Sequence, residues 1–303
     1  MNNKISEKML EQIAGLHSIP KGAVSYRENG ESKILNSTAN IGIVKKTDKA
    51  GIDIYIKDNT QNESLHIPVV ITQGGIDDVV HNDFHIGKNC DVLIVAGCGI
   101  HTNNNASSHK GIHTLNVGED SKVRYIERHF GDGKAEKELS PTTIINLAKN
   151  AVLEMETHQI SGVNVALRNT TATVGENAKF VASEKILTEE KQFAESEFEV
   201  ILDGENAKTE VISRVVAKGN SKQTFNSKII GKNTSFGRVE CDGIILDNAN
   251  IYSTPAIVAE HPNSSLTHEA QIGKIAGEQL TKLMSLGLTS DEAEQEIING
   301  FLN

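Results

Sequence analysis

IGKNCDVLIV, residues 86–95, returns as VGEDSKVRYI at 117–126, LAKNAVLEME at 147–156 and VGENAKFVAS at 174–183. Each copy runs from an apolar residue through a polar turn and a small residue into alternating apolar positions. The starts lie 31, 30 and 27 residues apart. A short β-like unit repeated at this period cannot bury its inward face alone; it does so against the copies before and after it. The repeat therefore predicts a mainly β protein, a parallel β-helix with roughly 30 residues per coil. Two later copies, IGKNTSFGRV from Ile230 and LDNANIYSTP from Leu246, come only 16 residues apart. The competing reading is a β-sandwich whose turns are alike by coincidence.

Outward from the repeat, Ile52–Ile56 and Lys208–Val216 are β-branched runs bounded by Gly, Asn and Asp, and read as strands. The β-region is expected from about Val24 to Glu269. Before it, Ile5, Met9, Ile13 and Leu16 share one face of a short helix over residues 4–16 that ends ahead of Pro20. After it, Ile275, Gln279, Leu283 and Leu286 recur at helical spacing, as do Leu280 and Met284. Gly287 is a helix stop. Thr289-Ser290-Asp291-Glu292 then fits a capping box ahead of the stripe Ala293, Ile297, Ile298 and Phe301. The expected organisation is a helical segment at 1–20, a β-helix at 21–270 and a helical hairpin at 271–303. The stripe Leu280, Leu283, Met284 and Leu288 is too wide for a short hairpin to bury, which predicts a docking surface for a protein partner.

The formal net charge of −10 argues against a nucleic-acid or anionic-membrane surface. No apolar run reaches the ~18 residues of a membrane span. The start carries alternating charges instead of a signal peptide's apolar stretch. Cys90, Cys98 and Cys241 are odd in number and lack CxxC spacing, so they are no disulfide framework. A soluble cytoplasmic protein with free thiols is expected. Phosphate-loop, nucleophile-elbow and dinucleotide motifs are absent, so nucleotide hydrolysis by this chain is not expected.

The segment 81–113 concentrates chemistry, with His81, His85, His101, His109 and His113 beside two cysteines. Imidazole and thiolate suit zinc, iron and copper, but the spacing matches no zinc motif. Cys90 fills the slot of Ser121, Ala151 and Ala178 in the other copies and reads as a structural turn residue. Cys98 and His129 each fall 12 residues into their copies and His158 falls 11 into the next, which predicts one column on stacked coils. Cys98, His101, His109, His113 and His129 are thus candidate metal ligands. Cys241 stands between Glu240 and Asp242, whose charges raise a thiol's pKa and make it a poor free nucleophile; a metal ion suits such a thiol better. His268 and Glu269 close the β-region.

HNDFHIG (81–87), GCGIH (97–101), ISRVVAKGNSKQTFNSKIIG (212–231), ECDGIILDNANIYSTPAI (240–257) and THEAQIGKIAGEQLTKLMSLGLTSDEAEQEIINGF (267–301) resemble the landmarks of the SufB/SufD family of iron–sulfur cluster assembly scaffolds. The last two are the specific ones, and the sequence is similar to the short, single-type members. The resemblance implies a right-handed parallel β-helix that pairs through its core, and a C-terminal helical region that docks an ABC-type ATPase, SufC. It implies that Cys241 matches a cluster-building cysteine, Glu269 a glutamate and His268 a histidine, and that the cargo is a transient cluster of the [4Fe–4S] type. A sulfur donor and apo-protein acceptors would be further partners. The large N-terminal helical domain of the long members is reduced here to one helix, and their CxxC segment is missing. One chain carries Cys241, His268 and Glu269 together, whereas the family often divides such residues between paralogues, so a homodimer is the simpler expectation over a paralogue pair. The resemblance implies a non-enzymatic role. Two alternatives remain: a metal-dependent β-helix enzyme using His101, His109 and His113 with Glu127 as base, and a structural β-helix that polymerises end to end.

Overall fold

The computed structural model describes residues 3–17, 20, 22–159 and 162–302. Helix α1 (Asn3–Ala14) comes first, followed by strands that alternate between two parallel sheets, so that one strand from each makes a coil of a flattened β-helix of about eight coils. The first sheet runs from Ala23–Glu28 through Asp91–His101 and Ser235–Ile245 to Ser264–Gly273. The second runs from Gly51–Ile56 through Ser107–Val117 to Asn250–Ala259. The expected strands at 52–56 and 208–216 are Gly51–Ile56 and Ala207–Ala217. Lys21 and Asn303, which bound the expected β-helix and tail segments, lie outside the described residues.

The repeated turn explains the period. Asn59, Asn89, Asp120, Asn150, Asn177 and Asn206 all have positive φ, between 54° and 63°, a conformation Asn and Asp tolerate. They stack: the Asn89 amide donates to Asn59 Oδ1 at 2.8 Å, and the Asn150 amide to Asp120 Oδ1 at 2.7 Å. The small residue after each is buried, Cys90 among them, and the Cys90 backbone N–H donates to Ser121 Oγ at 2.9 Å. Asn206 shows that LDGENAKTEV, from Leu202, is a further copy, with one residue more in its turn. The copy from Leu246 is a different object. Its turn, at Asp247, leads into the second sheet, whereas the others lead into the first. The 16-residue spacing is therefore about half a coil.

Inward residues alternate with outward ones, and the inward set builds one core from Ala23 to Cys241. Helix α1 lies outside this core, on the outer face of the first sheet, where Met9 and Ile13 pack with Val70 and Val95. Gly97 and Gly99 permit that approach. A Cβ on Gly97 would fall 2.8 Å from Ile13 O, and one on Gly99 3.0 Å from Met9 Sδ. The GCG of the sequence is thus a helix seat.

The two ends of the solenoid differ. At the N-terminal end both sheets finish in short antiparallel strands, Glu31–Asn36 and Ile41–Lys45. At the other end Asn250–Ala259 and Ser264–Gly273 are the last members of their sheets, and Tyr252, Ile257, Val258 and Ile272 are exposed there. Helix α2 (Gly277–Ser285) and helix α3 (Ser290–Leu302) follow. Ile275 falls before α2, because Ala276 at the N-cap is still extended. The capping box forms: the Thr289 N–H donates to Glu292 Oε2 at 2.8 Å and the Glu292 N–H to Thr289 Oγ1 at 3.3 Å. The outer face of the first sheet receives α3, where Ile298 and Leu302 bury against Val216, and Lys218 pairs with Glu294 at 2.7 Å. No residue of α2 is buried.

Candidate functional site

Cys241 is inward-facing and fully buried in the strand Ser235–Ile245. Parallel pairing puts Ser213 beside it on the preceding coil and Glu184 beside Ser213 on the one before that. The Ser213 hydroxyl donates to Glu184 Oε1 at 2.5 Å, while Glu184 Oε2 is buried with no partner. Burial pushes the Glu184 carboxyl above its ordinary range, against Ser213 and Arg168. Burial also pushes the Cys241 thiol up to about 11; Ser253 on the second sheet works against this, and Glu184 and Asp242 add to it. The sequence credited the acidic neighbours with this effect, but desolvation is the larger cause, since a thiolate without a counter-charge is poorly supported in an apolar core.

His268 pairs with Val239, so it shares the inner side of the first sheet with Cys241 on the adjacent coil, two residues out of line. That offset is about 4.8 Å across the strands and roughly 6.6 Å along them. His268 Nε2 is buried and has no hydrogen-bond partner. Glu269 alternates to the outer face, where Arg238 donates to Glu269 Oε2 at 3.1 Å and to Glu240 Oε2 at 2.7 Å. One copy of the chain therefore brings Cys241 and His268 together and holds Glu269 on the other side of the sheet.

The candidates near the N-terminal end divide as well. Cys98 and His129 are direct neighbours in one column, as the repeat alignment predicts. The next member of that column is Gln159; His158 pairs with Arg128 instead and faces outward, because its copy is one residue shorter to that point and a one-residue slip flips the face. Cys98, His109, His113, Glu127 and His129 line a common cavity of about 20 Å³, whereas His101 stands apart and meets Asp132 at 3.3 Å.

Arg168 crosses from the second sheet, donating to Glu127 Oε2 at 2.6 Å and to His129 Nδ1 at 3.2 Å. Burial alone would raise the Glu127 carboxyl, but Arg168 and His129 hold it well below the usual range. Among the described residues no three His, Cys, Asp or Glu side chains converge to hold an ion. Sequence reasoning passed over Glu184, Ser213 and Arg168. The available signal was a polar residue at an inward position of an alternating strand, which needs a partner across the core.

On α2, Met284 is exposed and Leu280 and Leu283 are half-buried; Leu288 is half-buried in the turn before α3. No helix is long and apolar enough to cross a membrane among the described residues.

With this geometry in hand, known proteins give the following likenesses. The family model described as SUF system FeS cluster assembly, SufBD core domain, matches residues 70–301. An iron-sulfur cluster assembly SufBD family protein of Archaeoglobus fulgidus is 32% identical over 225 residues, covering 74% of this chain and 60% of that protein. One from Methanothermobacter thermautotrophicus is 28% identical over 226 residues, covering 74% of this chain and 55% of that one. A SufBD family protein of Pyrococcus horikoshii is 29% identical over 280 residues, covering 88% and 83%. The chain thus spans little more than half the length of the first two relatives and most of the third.

Proposed function

The chain belongs to the SufBD family of the SUF iron–sulfur cluster assembly system, and from that premise we propose that it is a non-enzymatic scaffold on which a cluster, of the [4Fe–4S] type, is assembled and handed on. The observation that carries the reading is the pair at the open end: a buried thiol, Cys241, one coil from His268, whose Nε2 is buried without a partner. Thiolate and imidazole are ligands that iron accepts. Incoming iron supplies the positive charge that the thiolate lacks in this core. Iron and sulfide are the cargo here, the sulfide originating from a sulfur donor and the finished cluster passing to apo-protein acceptors.

One copy offers Cys241 and His268, which is too few ligands to enclose a cluster. The last coil supports a remedy. Its two strands are the last of their sheets among the described residues and expose Tyr252, Ile257, Val258 and Ile272, so a second copy of the chain can pair there and bring its own Cys241 and His268. Glu269 sits at the rim of that coil, where it joins the ligands if Arg238 releases it. Helix α2, none of whose residues is fully buried, and the turn after it are the docking face for an ABC-type ATPase of the SufC kind, through Leu280, Leu283, Met284 and Leu288. ATP binding there shifts the pairing of the two copies and opens or closes the site.

Anaerobic reconstitution with iron and sulfide, read by absorption and by iron content, tests the reading. Wild type is expected to gain the visible charge-transfer bands of a cluster, Cys241→Ser to lose them, and His268→Ala to weaken them. Unchanged bands and iron content in folded Cys241→Ser would overturn the assignment.

A further inference from the structure

His109, Gly111 and His113 are alternate, inward-facing residues of the strand Ser107–Val117, in the segment HKGIH. The two histidine Cα atoms lie about 13 Å apart along the strand, yet their rings lean towards each other over the glycine. The position that a Cβ on Gly111 would take is 2.5 Å from His113 Nε2 and 3.5 Å from His109 Nε2. Two ring nitrogens therefore converge on a point that any residue but glycine would fill.

The opposite ring nitrogens are already engaged. His109 Nδ1 lies 3.1 Å from Asp78 Oδ2, and Asp78 is gripped by Arg27, with Arg27 Nη2 at 2.6 Å from Asp78 Oδ1. Burial would raise the Asp78 carboxyl, but His109 and Arg27 hold it far below its ordinary value, so it stays an acceptor. His109 Nδ1 therefore faces an acceptor, and Nε2 is the nitrogen left to offer a lone pair. His113 Nδ1 lies 3.4 Å from the Tyr125 hydroxyl. A histidine fixed at one nitrogen by a carboxylate or hydroxyl, with the other aimed at a cavity, is the usual posture of a metal ligand.

The site also adjoins a larger pocket. Its cavity shares Ile67, Val69 and Asn82 with a pocket of about 380 Å³ at the N-terminal mouth of the solenoid, where Ser25, Arg27 and Lys45 stand.

We propose that His109 and His113 form a second metal site, a two-imidazole seat for a divalent first-row transition ion over Gly111. Its remaining coordination positions are left to water or to hydrosulfide. Two nitrogens with no third protein ligand among the described residues make a weak, exchangeable site, which suits delivery better than storage. The ion is Fe²⁺, and only that identity rests on the scaffold reading above. The site is separate from Cys241: the strand of Cys98, which lines this cavity, is five strands from that of Cys241 in the first sheet, or roughly 24 Å at the spacing of parallel strands.

The test is an anaerobic titration with Co²⁺ and with Fe²⁺, no sulfide being added, followed by calorimetry and the visible bands of Co²⁺. In a Cys241→Ser background, which removes the thiol of the other site, one ion is expected to bind, with added His109→Gln or His113→Gln weakening it at least tenfold and added Gly111→Ala abolishing it. Circular dichroism reports whether each variant is folded. Because substitutions in a core can unfold it, Co²⁺ is also added to the wild-type protein, where it should shift the ring resonances of His109 and His113 and leave those of His261 unmoved. Unshifted resonances of both rings at saturating Co²⁺ would overturn the proposal. So would binding that survives both histidine substitutions in the Cys241→Ser background, or the absence of binding in that background alone. Loss of cluster bands in Cys241→Ser with this titration intact separates the two sites.

Discussion

Ser213 is the direct neighbour of Cys241 on the preceding coil, yet its hydroxyl is committed to Glu184 at 2.5 Å. Burial holds the thiol neutral, against the opposing effect of Ser253, until a cation arrives.

Thiol labelling reads this state. All three cysteines are free and buried, so maleimide at pH 7 should modify the native protein slowly and the urea-unfolded chain rapidly at three sites, counted by mass spectrometry. The Cys241 pKa is raised on folding to about 11, so the folded state holds its proton more tightly than the unfolded chain, whose thiols titrate near 8.5. The stability from this group is complete below that value and is lost as pH rises towards 11. Denaturant midpoints of wild type and Cys241→Ala should converge over that window. Rapid labelling of native Cys241 at pH 7 would contradict the buried, neutral thiol.

Glu184→Gln should stabilise the fold at pH 8 by roughly 1–3 kcal/mol, the usual penalty of a buried polar group left unpaired. The carboxyl has a raised folded pKa, so its burden is greatest when it is ionised in the unfolded chain and shrinks as pH falls towards 4. Thermal melts of both proteins at pH 8 and pH 4.5 measure the difference. A variant less stable than wild type at pH 8 would show that the carboxylate is held by a stronger partner.

The two tail helices should separate in experiment. Ile298→Ala removes an anchor of α3 on the sheet and should cost roughly 2–5 kcal/mol in a denaturant melt. Met284→Asp, on the exposed α2, should leave the melt within about 0.5 kcal/mol of wild type and abolish capture of a SufC-type ATPase in a pull-down. Full capture by folded Met284→Asp and Leu283→Asp would move the docking face elsewhere.

Gly99→Leu should lift α1 from its seat, because the new side chain occupies the space of Met9. Hydrogen exchange of the Met9–Ala14 amides should accelerate while the solenoid strands keep their protection. By contrast, Cys90→Ala should change stability little, since Ala151 and Ala178 fill the same slot. Unchanged protection at Met9–Ala14 would mean that the helix seat tolerates a side chain.

Much of this architecture was legible in the residues because a solenoid writes its geometry as a period. The Asn and Asp turns recur because one backbone conformation recurs, and that alone placed Cys98 over His129. The same arithmetic slipped at His158 and at Leu202, where a coil is shorter or longer by one residue and sequence spacing no longer equals spatial register. The edge on which the Leu246 turn lies was likewise hidden, since both edges use the same turn chemistry. The convergence of His109 and His113 over Gly111 could not be read at all, because it depends on how two rings lean, and Arg168 became relevant only when the second sheet was laid against the first.

The unequal ends of the solenoid set a rule for how copies can add to one another. End-to-end growth into a fibre needs each molecule to present two compatible faces, one to receive and one to offer. Here the N-terminal strands are short and antiparallel and carry the Glu31–Lys33 pair, features that discourage strand addition. The C-terminal strands are ten residues long and expose Tyr252, Ile257, Val258 and Ile272. A molecule with a single receptive face can only meet another by the same face. Under the pairing proposed above, two joined copies turn only their short antiparallel ends outward, which opposes the addition of a third.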